Sequence, residues 1–448
     1  MRSFYVALSF VIIVALLPGL ALSQGISFPQ YLEFNSIGGG ARAAGMGGAF
    51  LGLSSGEYGY SWNPAGMIFA EKRTIGLDLR SIKDKFKQGG TPLDSIGASG
   101  TNLTDIKRDR FNVDFAGAVV PFSFFDRQWS VGGGYRNVLE MKYKFSAAGQ
   151  RGSENIYSEG TSVDALGIGF SGKINDNIGL GVTSNFYVRG SASDYTQGRY
   201  ILRTYNDRPG IVDTLDQRIT QDSHYSGVNF DIGAAAQFGM IKGGVVIRTP
   251  FDLTQKTLRS YYIMAHPTPQ PTDSAIDRVT CTYNIPLSIA VGISVAPIDR
   301  LTINLDFENR PMSKVEIMEN WESILRRDQT IEPQWQDLNQ IRLGAEYILK
   351  AGFADIPLRA GFRNQPSVQK EINYTVSDSA ITNSYGDKIS ANIISFGTGL
   401  NFQNVWFDLA YQTGSSKNNT VRNILGTTTT LVEKNDYSRL YISAGMYF

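Results

Sequence analysis

The sequence predicts an all-β chain: a transmembrane antiparallel β-barrel of about 14 strands with an N-terminal hatch or plug segment in the lumen. Three observations carry this. The N-terminus has the build of an export signal, alternating apolar and polar runs recur after residue 70, and the connections between them alternate short and long.

At the N-terminus, Arg2 precedes an apolar run over 4–22 that Pro18 and Gly19 interrupt. Ala21, Leu22 and Ser23 then form a small-x-small site before Gln24. This predicts a signal peptide over 1–23. The competing reading is a permanent helical anchor, because about 20 apolar residues cross a bilayer. The Pro-Gly break and the small-residue site favour cleavage. No cysteine follows the site, which excludes a lipoprotein.

Composition narrows the function classes. Lys and Arg number 42 against 41 Asp and Glu, so no charge excess favours nucleic acid. Gly (47), Tyr (22) and Phe (25) are abundant, as in β architectures built from short, evenly spaced strands. Cys281 is the single cysteine, so an internal disulfide and a CxxC site are both excluded.

The runs fall at 72–82, 110–121, 128–138, 161–173, 176–190, 223–238, 240–249, 280–296, 299–309, 336–350, 355–364, 389–402, 404–412 and 437–448. Short links lie at 122–127, 173–176, 239, 297–298, 351–354 and 403. Long polar segments lie at 83–109, 139–160, 191–222, 250–279, 310–335, 365–388 and 413–436. Tight periplasmic turns and long outer loops produce this alternation, and an even strand count leaves both termini periplasmic. Residues 72–448 are therefore expected to form the barrel.

Within the runs the faces separate cleanly. Leu301, Ile303, Leu305 and Phe307 alternate with Thr302, Asn304, Asp306 and Glu308, and Leu440, Ile442, Ala444, Met446 and Phe448 alternate with Arg439, Tyr441, Ser443, Gly445 and Tyr447. A soluble barrel would turn the apolar face inward, a membrane barrel toward lipid. The export signal, the loop asymmetry and the run lengths favour lipid. The lumen would then hold Asp306, Glu308, Arg342, Glu346, Arg359, Arg363, Asp408 and Arg439. Buried charges need partners, so these either form a paired ladder across a filled interior or line a solvated channel wall.

Residues 24–71 are expected to form a separate, non-strand segment. It contains the small-residue run Gly38 to Phe50, with Gly45, Gly47 and Gly48, and then Trp62, Asn63, Pro64, Ala65, Gly66 and Met67. As a nucleotide-binding GxGxxG loop it fails, because no strand precedes it and no βαβ unit follows.

The pair ARAAGMGGAF (41–50) and WNPAGM (62–67), followed by a strand-rich remainder ending in Phe448, resembles the FadL/TodX family of outer-membrane transporters, the long-chain fatty-acid transport proteins, and their PorV-like relatives in protein secretion. Gly244–Phe251 and Asn339–Tyr347 add to the resemblance. It implies a 14-stranded barrel in the bacterial outer membrane, inserted by the barrel-insertion machinery that reads a terminal Phe. It also implies a hatch whose tip, here Asn63, Pro64 and Ala65, sits in the lumen. Pro64 fixes φ, Asn63 can satisfy local backbone groups, and the glycines allow tight packing. Hatch gating and a purely structural plug both remain open. In the fatty-acid type a lateral opening lies at a kinked third strand. Gly132, Gly133 and Gly134 mark that strand here, either as a kink or as ordinary small residues under a bulky hatch.

Catalytic chemistry is not expected. Of the two histidines, His224 has Ser223 and Asp222 beside it, but neighbours on a strand face opposite ways. No metal site or cofactor is predicted. The leading expectation is uptake of an apolar small molecule, a long-chain fatty acid or aromatic hydrocarbon, by diffusion past the hatch. The second is a PorV-like scaffold or shuttle that holds secreted proteins by its loops. Polar loop residues such as Arg189, Arg199, Arg203, Asp207 and Arg208 weigh against a pure fatty-acid protein.

Overall fold

A computed structural model describes residues 33–34, 38–90, 106–140, 143–148, 154–159, 162–189, 196–205, 212–266, 271–322, 327–376, 381–424 and 427–448. The expected signal peptide, 1–23, lies outside the described residues.

The wall is a closed antiparallel barrel of 14 strands. In chain order they are β1 (Thr74–Gly90), β2 (Ile106–Phe124), β3 (Arg127–Glu140), β4 (Ser162–Asn175), β5 (Ile178–Arg189), β6 (Val212–Phe238) and β7 (Ile241–Arg248). Then follow β8 (Ser288–Ile298), β9 (Leu301–Arg310), β10 (Leu338–Lys350), β11 (Asp355–Val376), β12 (Ile381–Asn401), β13 (Val405–Ile424) and β14 (Thr427–Tyr447). Each pairs with its neighbours, and β14 returns to β1 with Tyr447 opposite Thr74. Each apolar run of the sequence overlaps one of these strands, except that the run 280–296 is divided between the strand Pro271–Ile285 and β8. Several strands extend well beyond their run, because polar residues at the outer ends also pair. One example is Lys434 of β14 opposite Lys87 of β1.

The strand faces show which way the barrel turns. Leu305 is 48% exposed while its neighbour Asp306 is 0%, and Leu343 is 48% exposed while Arg342 is 0%. The apolar face points outward and the charges point in, the arrangement of a membrane barrel. The turn between β2 and β3 places Phe125 and Asp126 at φ +50 and +56. Two consecutive positive φ values fit a two-residue hairpin turn that follows the strand twist.

Two features lie beyond the sequence reading. The segment 250–279, expected as loop, is largely a strand hairpin, Phe251–His266 paired with Pro271–Ile285. The segment 310–335, expected as an outer polar loop, carries Met312, Val315, Ile317 and Trp335 into the interior, where all four are buried. Ile317–Trp321 pairs with the strand over 279–283, which satisfies its backbone and lets its apolar side chains enter the lumen.

Candidate functional site

The lumen is filled in three layers. The first is the segment 38–70, two short helices (Ala41–Gly45 and Gly59–Trp62) and two 3-10 turns (Gly56–Tyr58 and Pro64–Phe69). Such a chain carries unpaired backbone N–H groups into a space without bulk water, so the wall must supply acceptors. Asp306 of β9 accepts from the Phe50 and Leu51 amides at 2.7 and 2.9 Å. Asp78 of β1 accepts from the Gly40 amide and the Tyr58 hydroxyl. The Ser443 hydroxyl accepts from the Ala41 amide, and Gln412 Nε2 donates to the Ala44 carbonyl. Asn63 works in both directions. Its Oδ1 accepts from the Ala65 amide, capping the turn that Pro64 begins, while its Nδ2 donates to the Ala234 carbonyl of β6 at 3.0 Å.

Close approach requires small residues on both sides. A Cβ at Gly344 or Gly361 would collide with Met46, at Gly397 it would meet Gly45, and at Gly181 or Gly233 it would enter Pro64. Gly47 faces the Phe362 backbone at φ +70, where a side chain would be strained as well as blocked. Gly45 and Gly47 thus lie buried against the wall strands, Gly48 is buried beside them, and Asn63, Pro64 and Ala65 lie buried in the lumen.

The break in the wall expected at Gly132, Gly133 and Gly134 is absent. β3 pairs continuously with β2 from Arg127 to Arg136 and with β4 from Trp129 to Asn137. The glycines let the neighbouring backbones and the plug approach closely. Gly134 aligns with Gly117 and Gly167 on the flanking strands, and the Tyr60 ring lies against Gly117 and Gly167. Gly132 faces Met67. The irregularity in β3 comes later, between Asn137 and Leu139, where Val138 bulges.

The second layer is charged. All eight charged residues expected in the lumen are buried. Glu346 bridges Arg42 at 2.6 Å and Arg359 at 2.7 Å, and Arg359 also reaches Asp408 at 2.6 Å. Arg439 pairs with Asp84, Arg342 with Glu308, and Arg363 donates to Gln365 and Gln412. These charges form a braced network across the interior. Arg342 also stands 5.7 Å over the Trp62 ring, which ties this layer to the first.

Charged residues outside the set expected in the lumen complete the layer. Glu308 receives Arg248 at 2.8 Å and Arg310 besides Arg342, and Asp231 lies 3.8 Å from both Arg136 and Arg248. Four guanidinium groups thus gather around Glu308 and Asp231, with Asp306 also within electrostatic reach of Arg342. Arg80 joins Asp114 and Asn137, which joins Asp164. The same inward alternation that located Asp306 and Arg342 could have found Arg136, Asp231 and Arg248; Asp114 sits at a bulge in β2, where alternation slips.

The third layer is apolar. Leu139, Val163, Tyr187, Leu253, Tyr283 and Val368 pack with Met312, Val315, Ile317 and Trp335. Tyr187 stacks on Phe251 with centroids 4.6 Å apart. Between this layer and the arginines lies a cavity of about 80 Å³, with Val138, Leu139, Tyr187, Phe251 and Met312 above and Arg136, Arg248 and Arg310 beneath. A second cavity, about 350 Å³, opens beside the first layer among Arg42, Glu57, Tyr58, Phe69, Trp406 and Tyr447. Burial there lifts the Glu57 carboxyl to about 7.

His224 is exposed, 3.7 Å from Asp222, whereas Ser223 faces inward onto Thr257 and Gln255. The three form no triad. Among the described residues no cluster of His, Cys, Asp and Glu could hold a metal.

Comparison with known proteins follows the same lines. The family model described as outer membrane protein transport protein (OMPP1/FadL/TodX) matches residues 20–424. A FadL homologue of Pseudomonas aeruginosa superposes with TM-score 0.63 at 14% identity, over 92% of this chain and 99% of that one. The toluene transporter TodX of Pseudomonas putida gives TM-score 0.58 at 14% identity, over 93% and 99%. The toluene transporter TbuX of Ralstonia pickettii gives 0.55 at 15% identity, over 92% and 99%. At such identities these likenesses speak for the fold. No curated protein sequence matches.

Proposed function

The chain belongs to the OMPP1/FadL/TodX family of outer membrane transport proteins, and from that premise we propose that it takes hydrophobic small molecules inward, past the segment 38–70. The family is one of outer-membrane transport channels, not of enzymes.

One observation carries the choice of substrate: the apolar cavity under the third layer has arginines as its floor. An apolar tail is held by Leu139, Tyr187 and Phe251, and an anionic head meets the three guanidinium groups of Arg136, Arg248 and Arg310. That favours the long-chain fatty-acid end of the range over the neutral aromatic hydrocarbon. In this reading Asn63, Pro64 and Ala65 form the tip that the substrate must pass, and the charged layer selects the head group.

The test is uptake into vesicles carrying the purified protein, with labelled dodecanoate and toluene offered separately. Faster entry of dodecanoate than into protein-free vesicles is expected. Entry of neither overturns the reading; entry of toluene alone overturns the role of the arginines.

The filled lumen supports a second reading, a scaffold of the PorV type whose outer loops hold a secreted protein. Loss of surface proteins on deletion, with fatty-acid uptake unchanged, would favour it.

A further inference from the structure

The third layer crosses the whole lumen. Leu139 and Val163 come from β3 and β4, Val368 from β11 on the far side of the ring, and the connection between β9 and β10 fills the middle with Met312, Val315 and Trp335. The cavity beneath, about 80 Å³, is smaller than the ~150 Å³ apolar cavity that accommodates benzene. In this conformation the site is therefore smaller than a cavity that holds one aromatic ring, and the layer must part for a tail and head group to be seated above the arginines.

The part with least claim on the wall is the connection itself. Its middle is tied by the pairing of Ile317–Trp321 with 279–283, and two side-chain fastenings hold its two ends. At its base Ser313 donates to the Asp337 carboxylate from its amide at 3.1 Å and its hydroxyl at 2.6 Å. Beside Trp335, Gln336 Nε2 donates to the carbonyls of Ser367, Gln369 and Ile389 at 2.6, 2.9 and 3.0 Å. Those carbonyls lie where the ladder between β11 and β12 breaks register, so they are open to a side chain. Away from the short ladder of Ile317–Trp321, the closure around Trp335 is made by side chains at a wall irregularity, by the Gln336 amide donating to the Val368 carbonyl at 2.7 Å, and by apolar contact.

We propose that this apolar septum is the outer gate of the pathway, closed by Trp335 and Met312 and opened when the connection lifts at the Gln336 fastening. It rests on the transport reading and adds a selection step to it. A strongly hydrated solute loses its water at the septum without gaining partners, whereas an alkyl or aryl group does not.

Cys281, the single cysteine, is buried within this layer and reports on it directly. The experiment follows its modification by a charged, water-soluble thiol reagent in the full-length protein in vesicles, beside dodecanoate uptake. The wild type should label far more slowly than the unfolded chain. W335A should label about tenfold faster, as expected when local opening becomes easier, and W335F should remain slow. M312A supplies the same arm if W335A does not fold. Wild-type labelling as fast as in the unfolded chain, or no acceleration in either alanine variant, overturns the septum even if uptake is normal. The expected labelling pattern without any uptake supports a closed septum and overturns transport instead.

Discussion

The segment 38–70 and the connection between β9 and β10 both fold into the lumen, and they are held there by different forces. The first is mostly helical turns whose amides end on wall side chains: Asp306 takes two, and Asp78 and Ser443 take one each. The second reaches the interior from a short strand, Ile317–Trp321, already paired on its backbone, so it presents apolar side chains. The contrast teaches where polar cost arises. A chain that enters without strand partners must find acceptors, and the wall supplies carboxylates; a chain that enters paired needs only apolar company. Disturbing the first closure should therefore depend on charge and on glycine, and disturbing the second on volume.

The largest effect on the first closure is expected from G361V. A side chain there would overlap the Gly47 amide and the Met46 carbonyl carbon, both backbone. The segment should fail to seat, seen as rapid proteolysis of 38–70 and leakage of small sugars from vesicles; a sealed barrel would show that the cradle is dispensable. E346Q comes next. It leaves the buried Arg359, and Arg42, without their shared carboxylate, at a cost of about 3 kcal/mol. Its thermal unfolding midpoint should fall while septum labelling at Cys281 stays slow. A smaller loss, about 1 kcal/mol, is expected from D306N, which keeps an oxygen for Phe50 and Leu51 but removes its charge. Hydrogen exchange of those two amides would measure it.

The smallest effect is one of pH. Burial raises Glu57 to about 7, above its value in the unfolded chain. A raised carboxyl favours the protonated, seated form, so its contribution is complete below about 4.5 and is lost as pH rises through 7. Protease resistance of the segment should decline over that window. E57Q should flatten the curve; an unchanged slope would mean that another group titrates.

Much of this was legible beforehand. The alternation of Leu343 and Arg342, or Ile442 and Arg439, located the strands and told which side chains share a face. The ends of the strands were not legible, because polar residues such as Lys87 and Lys434 pair as readily outside the membrane as apolar ones do within it. Gly132, Gly133 and Gly134 misled for a physical reason. Missing side chains weaken an isolated strand, but here Gly132 makes room for Met67 and Gly134 lies against the backbone of β2, and the ladder stays whole. Met312 and Trp335 escaped notice because they follow neither period 2 nor period 3.6, and a polar loop hid them.

The sequence by itself determined the period of the wall, since a repeat of two separates two faces, and its export signal, loop asymmetry and run lengths pointed the apolar face to lipid. It also placed the charges inside. Only the tertiary structure decided what those charges do, because pairing Arg342 with Glu308 or Arg359 with Asp408 requires strands brought together by the closed ring. The same holds for the septum. Leu139 and Val368 are distant along the chain and become neighbours only when the barrel closes and a connection folds in between them.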